Sequence, residues 1–306
     1  MNLAQEQANR LPPLLDNLSL ALVAFLAEPD PESRQTLQQA WLAAHNQFSR
    51  TLPLIRIHEV NRSLFSIDAW PIEPGFLDSL PEYQDSGIIN DFTLTISRET
   101  LIGQHGFTDP SEASLGFHPL EYYAFARPIE DFVPTTLESL EADVIERRRQ
   151  LVMIVTTELA NTVETLVDDL TRTAITTVSP SPAQRLKAII AGGRRSALSG
   201  FQQANLIVDS DQGHCQYSKS SLENLRYETQ TLRAIFASDS TLLSILAGIR
   251  PETTRNLDST LDQAVTILND PQPSEADRAK LPLMLSAISH QLEEFELELT
   301  HQRDSR

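Results

Sequence analysis

The run Gly116-Phe117-His118-Pro119-Leu120-Glu121 sets an imidazole and a carboxylate three residues apart, which stacks them on one face wherever the segment is helical. Both side chains can then reach one ion. A borderline divalent metal accepts nitrogen and oxygen ligands together, but two ligands are too few, so further donors must come from elsewhere in the fold. Pro119 is tolerated only in a first helical turn, so this helix should begin between about Leu115 and His118. That places the pair at a positive helix end, which disfavours a cation while favouring ionised Glu121 and neutral His118. The same spacing has a purely structural use, in which Glu121 folds back onto the cap amide and His118 serves as a tolerable cap. A ligand role further requires both donors to point into a common water-accessible crevice.

Other machineries are absent by inspection. The chain contains no GxGxxG, no GxxxxGK[ST] and no GxSxG, so nucleotide binding and serine hydrolysis lack their usual signals. His58-Glu59 is followed by Asn61 and Arg62 rather than completing HExxH, and Tyr122 stands where the inverted form HxxEH needs its second histidine. Cys215 is the sole cysteine, which excludes an intrachain disulfide, a CxxC redox pair and a cysteine zinc site. A formal charge of -18 repels polyanions and removes nucleic acid from the candidate partners. The only basic clusters, Arg147-Arg148-Arg149 and Arg194-Arg195, sit in helix-like segments and read as solvated helix faces.

The elements that must position these residues are helical. In 306 residues Gly numbers only 10 and aromatics 6%, while Leu, Ala, Glu and Gln recur, so an all-α fold of about two domains is expected. A first helix spans about Pro13 to Ala27. Asp30-Pro31-Glu32 opens a second through Leu37, Trp41, Ala44 and Phe48. His45 on this helix reads as packing or surface. Prolines 53, 71, 74, 81 and 110 deny the stretch from Pro53 to Ser114 long helices and make it an irregular, loop-rich segment of the N-terminal domain. After Pro134 one apolar stripe from Leu137 to Leu170 predicts a helix lasting to about Val178. Ser179-Pro180-Ser181-Pro182 then breaks it, with Ser181 and Pro182 as cap and first residue of the next. Further amphipathic segments cover Ser218 to Ala237, Thr241 to Ile249, Pro251 to Leu268 and Ala276 to His301. These are bundle helices, and with about two domains expected the change of character after Pro134 divides the chain into 1–133, with the irregular segment, and 134–306, a four-helix-bundle-like unit. The first residues lack a secretory signal, and no window reaches 18 uninterrupted apolar residues, so no transmembrane segment is expected.

Three segments in order, Asp68-Ala69-Trp70-Pro71-Ile72-Glu73-Pro74, Ser86-Gly87-Ile88-Ile89-Asn90-Asp91 and Gly116-Phe117-His118-Pro119-Leu120-Glu121-Tyr122-Tyr123, together resemble the imelysin family of peptidase-like, iron-regulated proteins. His214-Cys215-Gln216-Tyr217-Ser218 looks like that family's second patch, so the resemblance spans most of the chain. Two positions depart from it: Pro119 stands where the family usually has Ala, and Gln216-Tyr217-Ser218-Lys219 replaces the more typical Cys-Phe-Ser-Asp. The resemblance implies two helical bundles, the GxHxxE element near a cleft between them, and a bacterial periplasmic or envelope setting linked to iron.

The preferred reading is a non-catalytic envelope protein binding a metal ion, iron-linked, or a metal-bearing small ligand. His118 and Glu121 are the metal ligands, and Glu73, Asp91 or His214 complete the shell. Gly116, Trp70, Tyr217 and Ser218 belong to the same motifs, Trp70 as a core or cleft-wall anchor. A metallopeptidase with Glu121 or Glu73 as general base is the alternative, and it needs a third ligand and a separate base that the sequence does not display. A module binding an envelope saccharide or protein partner is the third.

Overall fold

The computed structural model describes residues 3–60, 63–135, 139–175, 181–210, 213–237 and 240–304. Its elements, in order, are α1 (Leu3–Ala8), α2 (Leu11–Ala27), α3 (Pro31–His58), α4 (Leu64–Asp68), α5 (Pro74–Leu77), α6 (Arg98–Gln104), α7 (Phe117–Glu121), a π-helical turn (Tyr122–Ala126), a 3-10 turn (Ile129–Phe132), α8 (Leu140–Ile175), α9 (Pro182–Ser210), α10 (Ser221–Ala237), α11 (Ser240–Ile249), α12 (Pro251–Asn269), α13 (Glu275–Arg278) and α14 (Leu281–Asp304). No strand occurs among the described residues, and the fold is all-α. By length and composition alone Leu3–Ala27 could cross a membrane, although α2 buries Leu11, Leu15, Leu18, Leu22 and Phe25 within the protein.

Two helix ends differ from expectation for identifiable reasons. Pro53 does not stop α3, which continues to His58. An interior proline costs about 3 kcal/mol, and the buried side chains of Leu52, Leu54 and Ile55 around it outweigh that. The expected helix from Ala276 is instead two pieces, α13 and α14, because Pro282 suits only a first turn and α14 restarts at Leu281. At the predicted break, Ser181 and Gln184 form a capping box: the Gln184 amide donates to Ser181 Oγ at 3.3 Å, and the Ser181 amide to Gln184 Oε1 at 2.8 Å. Val178, Ser179 and Pro180 lie outside the described residues.

The chain divides into two compact units, each assembled from separate stretches. One comprises Met1–Ala8, Asn46–Asn61 and Asp168–Arg306; the other comprises Asn9–His45 and Arg62–Val167. The first is a helical bundle in which α9 packs along α14, and α12 packs against both α10 and α14. Its core is aliphatic with two phenylalanines, Phe236 and Phe295, among Ile190, Leu225, Leu261 and Leu285. Arg194 reaches from α9 to Glu293 and Glu296 on α14, so it is a paired, half-exposed cation.

In the second unit the loop-rich segment is held down by the Arg147–Arg149 cluster, which is therefore not a solvated face. Arg147 donates to four carbonyls, Ile88, Ile89, Asp91 and Leu94, and so pins the turn that follows Ser86-Gly87. Arg149 donates to Phe132 O at 2.8 Å. Arg148, 3% exposed, makes a two-pronged ion pair with fully buried Asp78, at 2.6 and 3.0 Å. A loop cannot bury its own backbone without partners, and guanidinium groups from α8 supply them. Asp78→Ala would strand the Arg148 charge in the interior, and a loss of about 3–5 kcal/mol in urea unfolding is expected. Adding Arg148→Met to Asp78→Ala should recover most of that loss; no recovery in the double variant would contradict the pairing argument.

Candidate functional site

The site grows from one glycine. Gly116 sits at φ 102, and a Cβ there would lie 2.5 Å from the Ile67 carbonyl of α4, so only glycine lets the chain turn this close. Gly116→Ala is expected to lower the melting temperature by several degrees, read by thermal circular dichroism, because strain and overlap act together. The turn opens α7 at Phe117 with Pro119 in its first turn, as the proline demands. After Glu121 the helix widens into the π turn, whose Ala124 and Phe125 carbonyls accept from Arg34 Nε and Nη2 at 2.9 and 3.0 Å. Trp41 Nε1 donates to Phe117 O at 2.9 Å. Both ends of the motif are thus fastened to α3.

What this places together is a four-residue cluster within one unit. Glu121 Oε2 lies 2.9 Å from His118 Nδ1, and Asp68 Oδ1 lies 3.2 Å from His118 Nε2. The same Asp68 oxygen is 3.0 Å from His45 Nε2. The His45 ring stacks on Trp41 at 4.8 Å and 19°, which holds it edge-on to the carboxylate. Side chains of His45, His118 and Glu121 are 1% exposed and Asp68 is 11% exposed. The donors expected to face an open crevice are therefore nearly enclosed, with Asp68 the most exposed of the four. Burial alone would lower the His118 pKa, but its hydrogen bonds to Asp68 and Glu121, with their charges, overturn that and raise it to about 9. His118 is an imidazolium at neutral pH, donating from both nitrogens.

Of the other sequence candidates in this unit, Trp70 is half-buried beside the cluster's own Asp68 in sequence and forms the cis Trp70-Pro71 bond. Glu73 is exposed and caps α5 by accepting from the Gly75 amide at 3.3 Å. Asp91 is exposed and accepts from the Thr93 amide and hydroxyl at 2.9 and 2.6 Å, bonds that hold its pKa down. Neither acid joins the His118 cluster. His214, Tyr217 and Ser218 belong to the other unit, half-buried in the turn before α10. There His214 Nδ1 is 3.6 Å from Cys215 Sγ, Ser218 Oγ is 2.9 Å from Ser220 Oγ, and Lys219 is exposed at φ 60.

His45 and Asp68 are the members that sequence reasoning did not assign. A signal existed for His45: it follows Trp41 by one turn and adjoins Ala44 and Phe48 on the buried stripe of α3, where an imidazole must find a polar partner. Asp68 stood in plain view at the head of the Trp70-Pro71 segment.

Donor chemistry bears on whether a metal suits this pocket. Metal bonds of about 2.1 Å at right angles separate neighbouring donors by about 3.0 Å, the spacing that Asp68 Oδ1 keeps to both histidine Nε2 atoms. Two carboxylates facing one imidazolium leave a net negative charge. A divalent cation in place of the His118 Nε2 proton, with His45 a neutral donor, brings the sum to zero. The residues fit such an ion.

An all-α protein with a GxHxxE turn closing over a buried histidine–carboxylate cluster is the class that fold and site define. The chain belongs to the imelysin family, whose profile (Peptidase M75, imelysin) matches residues 9–281. Its fold is similar to that of a protein from Parabacteroides distasonis described as an iron-regulated protein A precursor, with a TM-score of 0.69 and 11% identity over 97% of this chain and 92% of that one. No curated protein matches.

Proposed function

We propose that this imelysin-family chain is a non-catalytic, iron-linked binding protein of the bacterial periplasm or envelope, holding a divalent cation on His45, Asp68 and His118. The observation that carries the reading is the shared Asp68 oxygen, which meets both Nε2 atoms at 3.0 and 3.2 Å. Two imidazoles and one carboxylate form a donor set that leaves further coordination positions open and suits iron(II) and its neighbours. Glu121 stands behind His118 rather than beside it. By accepting from Nδ1 it fixes the ring's orientation and raises its basicity toward an ion at Nε2.

Peptidase chemistry needs an activated water and a free general base. Glu121 is engaged by His118, and Glu73 caps α5 at the surface, which supports the non-catalytic reading over one in which either acid is that base. The Parabacteroides protein's description as an iron-regulated precursor supports the iron link and the exported setting. A small metal-bearing ligand or an envelope partner is compatible with the same donors.

Metal content decides. Chelator-stripped protein reloaded with iron(II) under anaerobic conditions should bind one ion per chain, and His118→Ala and His45→Ala should each lose it. Equal stoichiometry in wild type and both variants would reject the proposal, as would chelator-sensitive cleavage of an unfolded substrate reject its non-catalytic part.

A further inference from the structure

We propose that His105 is a positioning residue for the Asp68–His118 pair, working as a neutral brace whose protonation loosens the pair. The residue follows α6 directly. Its Nδ1 accepts from the amides of Ser114 and Leu115 at 3.2 and 3.3 Å, and its Nε2 lies 3.2 Å from the Phe65 carbonyl. Phe65 precedes Asp68 by three residues in α4, and Leu115 precedes His118 by three. One ring therefore bridges the two stretches of chain that carry the partners.

The hydrogen-bond chemistry admits a single protonation state. Amides only donate, so Nδ1 must offer its lone pair; a carbonyl only accepts, so Nε2 must carry the proton. A second proton would sit on Nδ1, facing two donors, and would cancel both bonds to the loop that leads into α7. The ring also packs on the Phe65 ring at 4.5 Å, and a Cβ at Gly106, φ 65, would lie 2.7 Å from that ring. Brace and aromatic floor thus form one built unit.

Among the described residues no charged neighbour supplies a competing explanation. On α4 the carboxylate of Asp68 is engaged by His45 and His118. In the following loop Asp109 is held by Ser111 and Glu112 by Thr108, while on α6 Arg98 pairs with Glu158 on α8 and Glu99 is exposed. Residues 113–115 carry no titratable side chain. Burial, partly offset by the Phe65 carbonyl, lowers the His105 pKa, so the brace is intact at neutral pH and fails on the acid side. This concerns the geometry of Asp68 and His118 and stands independently of any ion bound there.

The test uses the full chain, metal-free and nitrogen-15 labelled, from pH 7.5 to 5. At pH 7.5 the His105 ring should show the Nε2–H form. As it protonates, exchange of the Ser114 and Leu115 amides should rise at least tenfold and the His118 ring resonances should move with it. His105→Asn keeps an oxygen acceptor near the Nδ1 position without titrating, so its His118 resonances should hold still over that range. His105→Phe keeps the ring but not the bonds and should show the loosened amides already at pH 7.5. Identical pH responses of His118 in wild type and His105→Asn would overturn the proposal, as would an Nδ1–H form at pH 7.5. Because these readouts need no metal, they separate failure of the brace from failure of the binding function.

Discussion

In Asp68→Ala protein, affinity for iron(II) falls by more than about 100-fold, whereas Glu121→Gln costs about 10–100-fold, the range for a partner that acts through a ligand. The ranking follows from which atoms meet. Asp68 Oδ1 touches both Nε2 atoms, so its removal takes away one donor and a polar contact shared by His45 and His118. Glu121 touches Nδ1, on the far side of the His118 ring, and a glutamine oxygen there still accepts that proton. Competition against a chromophoric chelator measures both, with circular dichroism confirming that each variant is folded. A Glu121→Gln loss larger than the Asp68→Ala loss would restore the pair read from spacing alone, His118 with Glu121, as the chelating unit.

Wild-type protein stripped of metal loses stability relative to His118→Gln as pH climbs from about 6.5 to about 9. The folded-state pKa of His118 is raised from 6.5 to about 9. A group raised on folding contributes fully below its unfolded pKa and surrenders that contribution as pH passes through the folded one. The shift corresponds to at most about 3–4 kcal/mol, since each pKa unit is about 1.4 kcal/mol. Above this window two carboxylates confront a neutral ring that is almost fully buried. Urea unfolding at pH 6, 7.5 and 9.5 with chelator present reads the effect. A wild type that gains on His118→Gln across the same interval would reverse the assigned charge state.

Most helices were legible because burial imposes a period that survives in the residue pattern. Leu37, Trp41, Ala44 and Phe48 mark α3, and Ser181-Pro182 announces α9. The helix start at Phe117 followed from one proline. What could not be read was tertiary. Whether three arginines in a row face water or reach back into loops depends on what lies opposite α8, and Ile88, Asp78 and Phe132 are far away in sequence. The candidate site divides the same way. His118 and Glu121 lie within one turn, so spacing reveals them, while His45 and Asp68 reach them only through packing of α3 and α4 against α7. Glu73 and Asp91 stay apart from the cluster because an acid at a helix start or in a turn serves local backbone amides as well as it serves an ion.

The π turn at Tyr122–Ala126 carries one residue more than a regular helix needs for the same advance. Deleting Ala124 would let the coil close into an ordinary spiral, but everything beyond would be re-indexed by one position. Arg127 and Asp131 both follow the deletion and would keep their pairing, whereas the Ala124 carbonyl that accepts from Arg34 Nε and Gln38 Nε2, each at 2.9 Å, would be lost. Relatives aligned across this point should therefore show a one-residue gap only where Arg34, Gln38 or both have also changed.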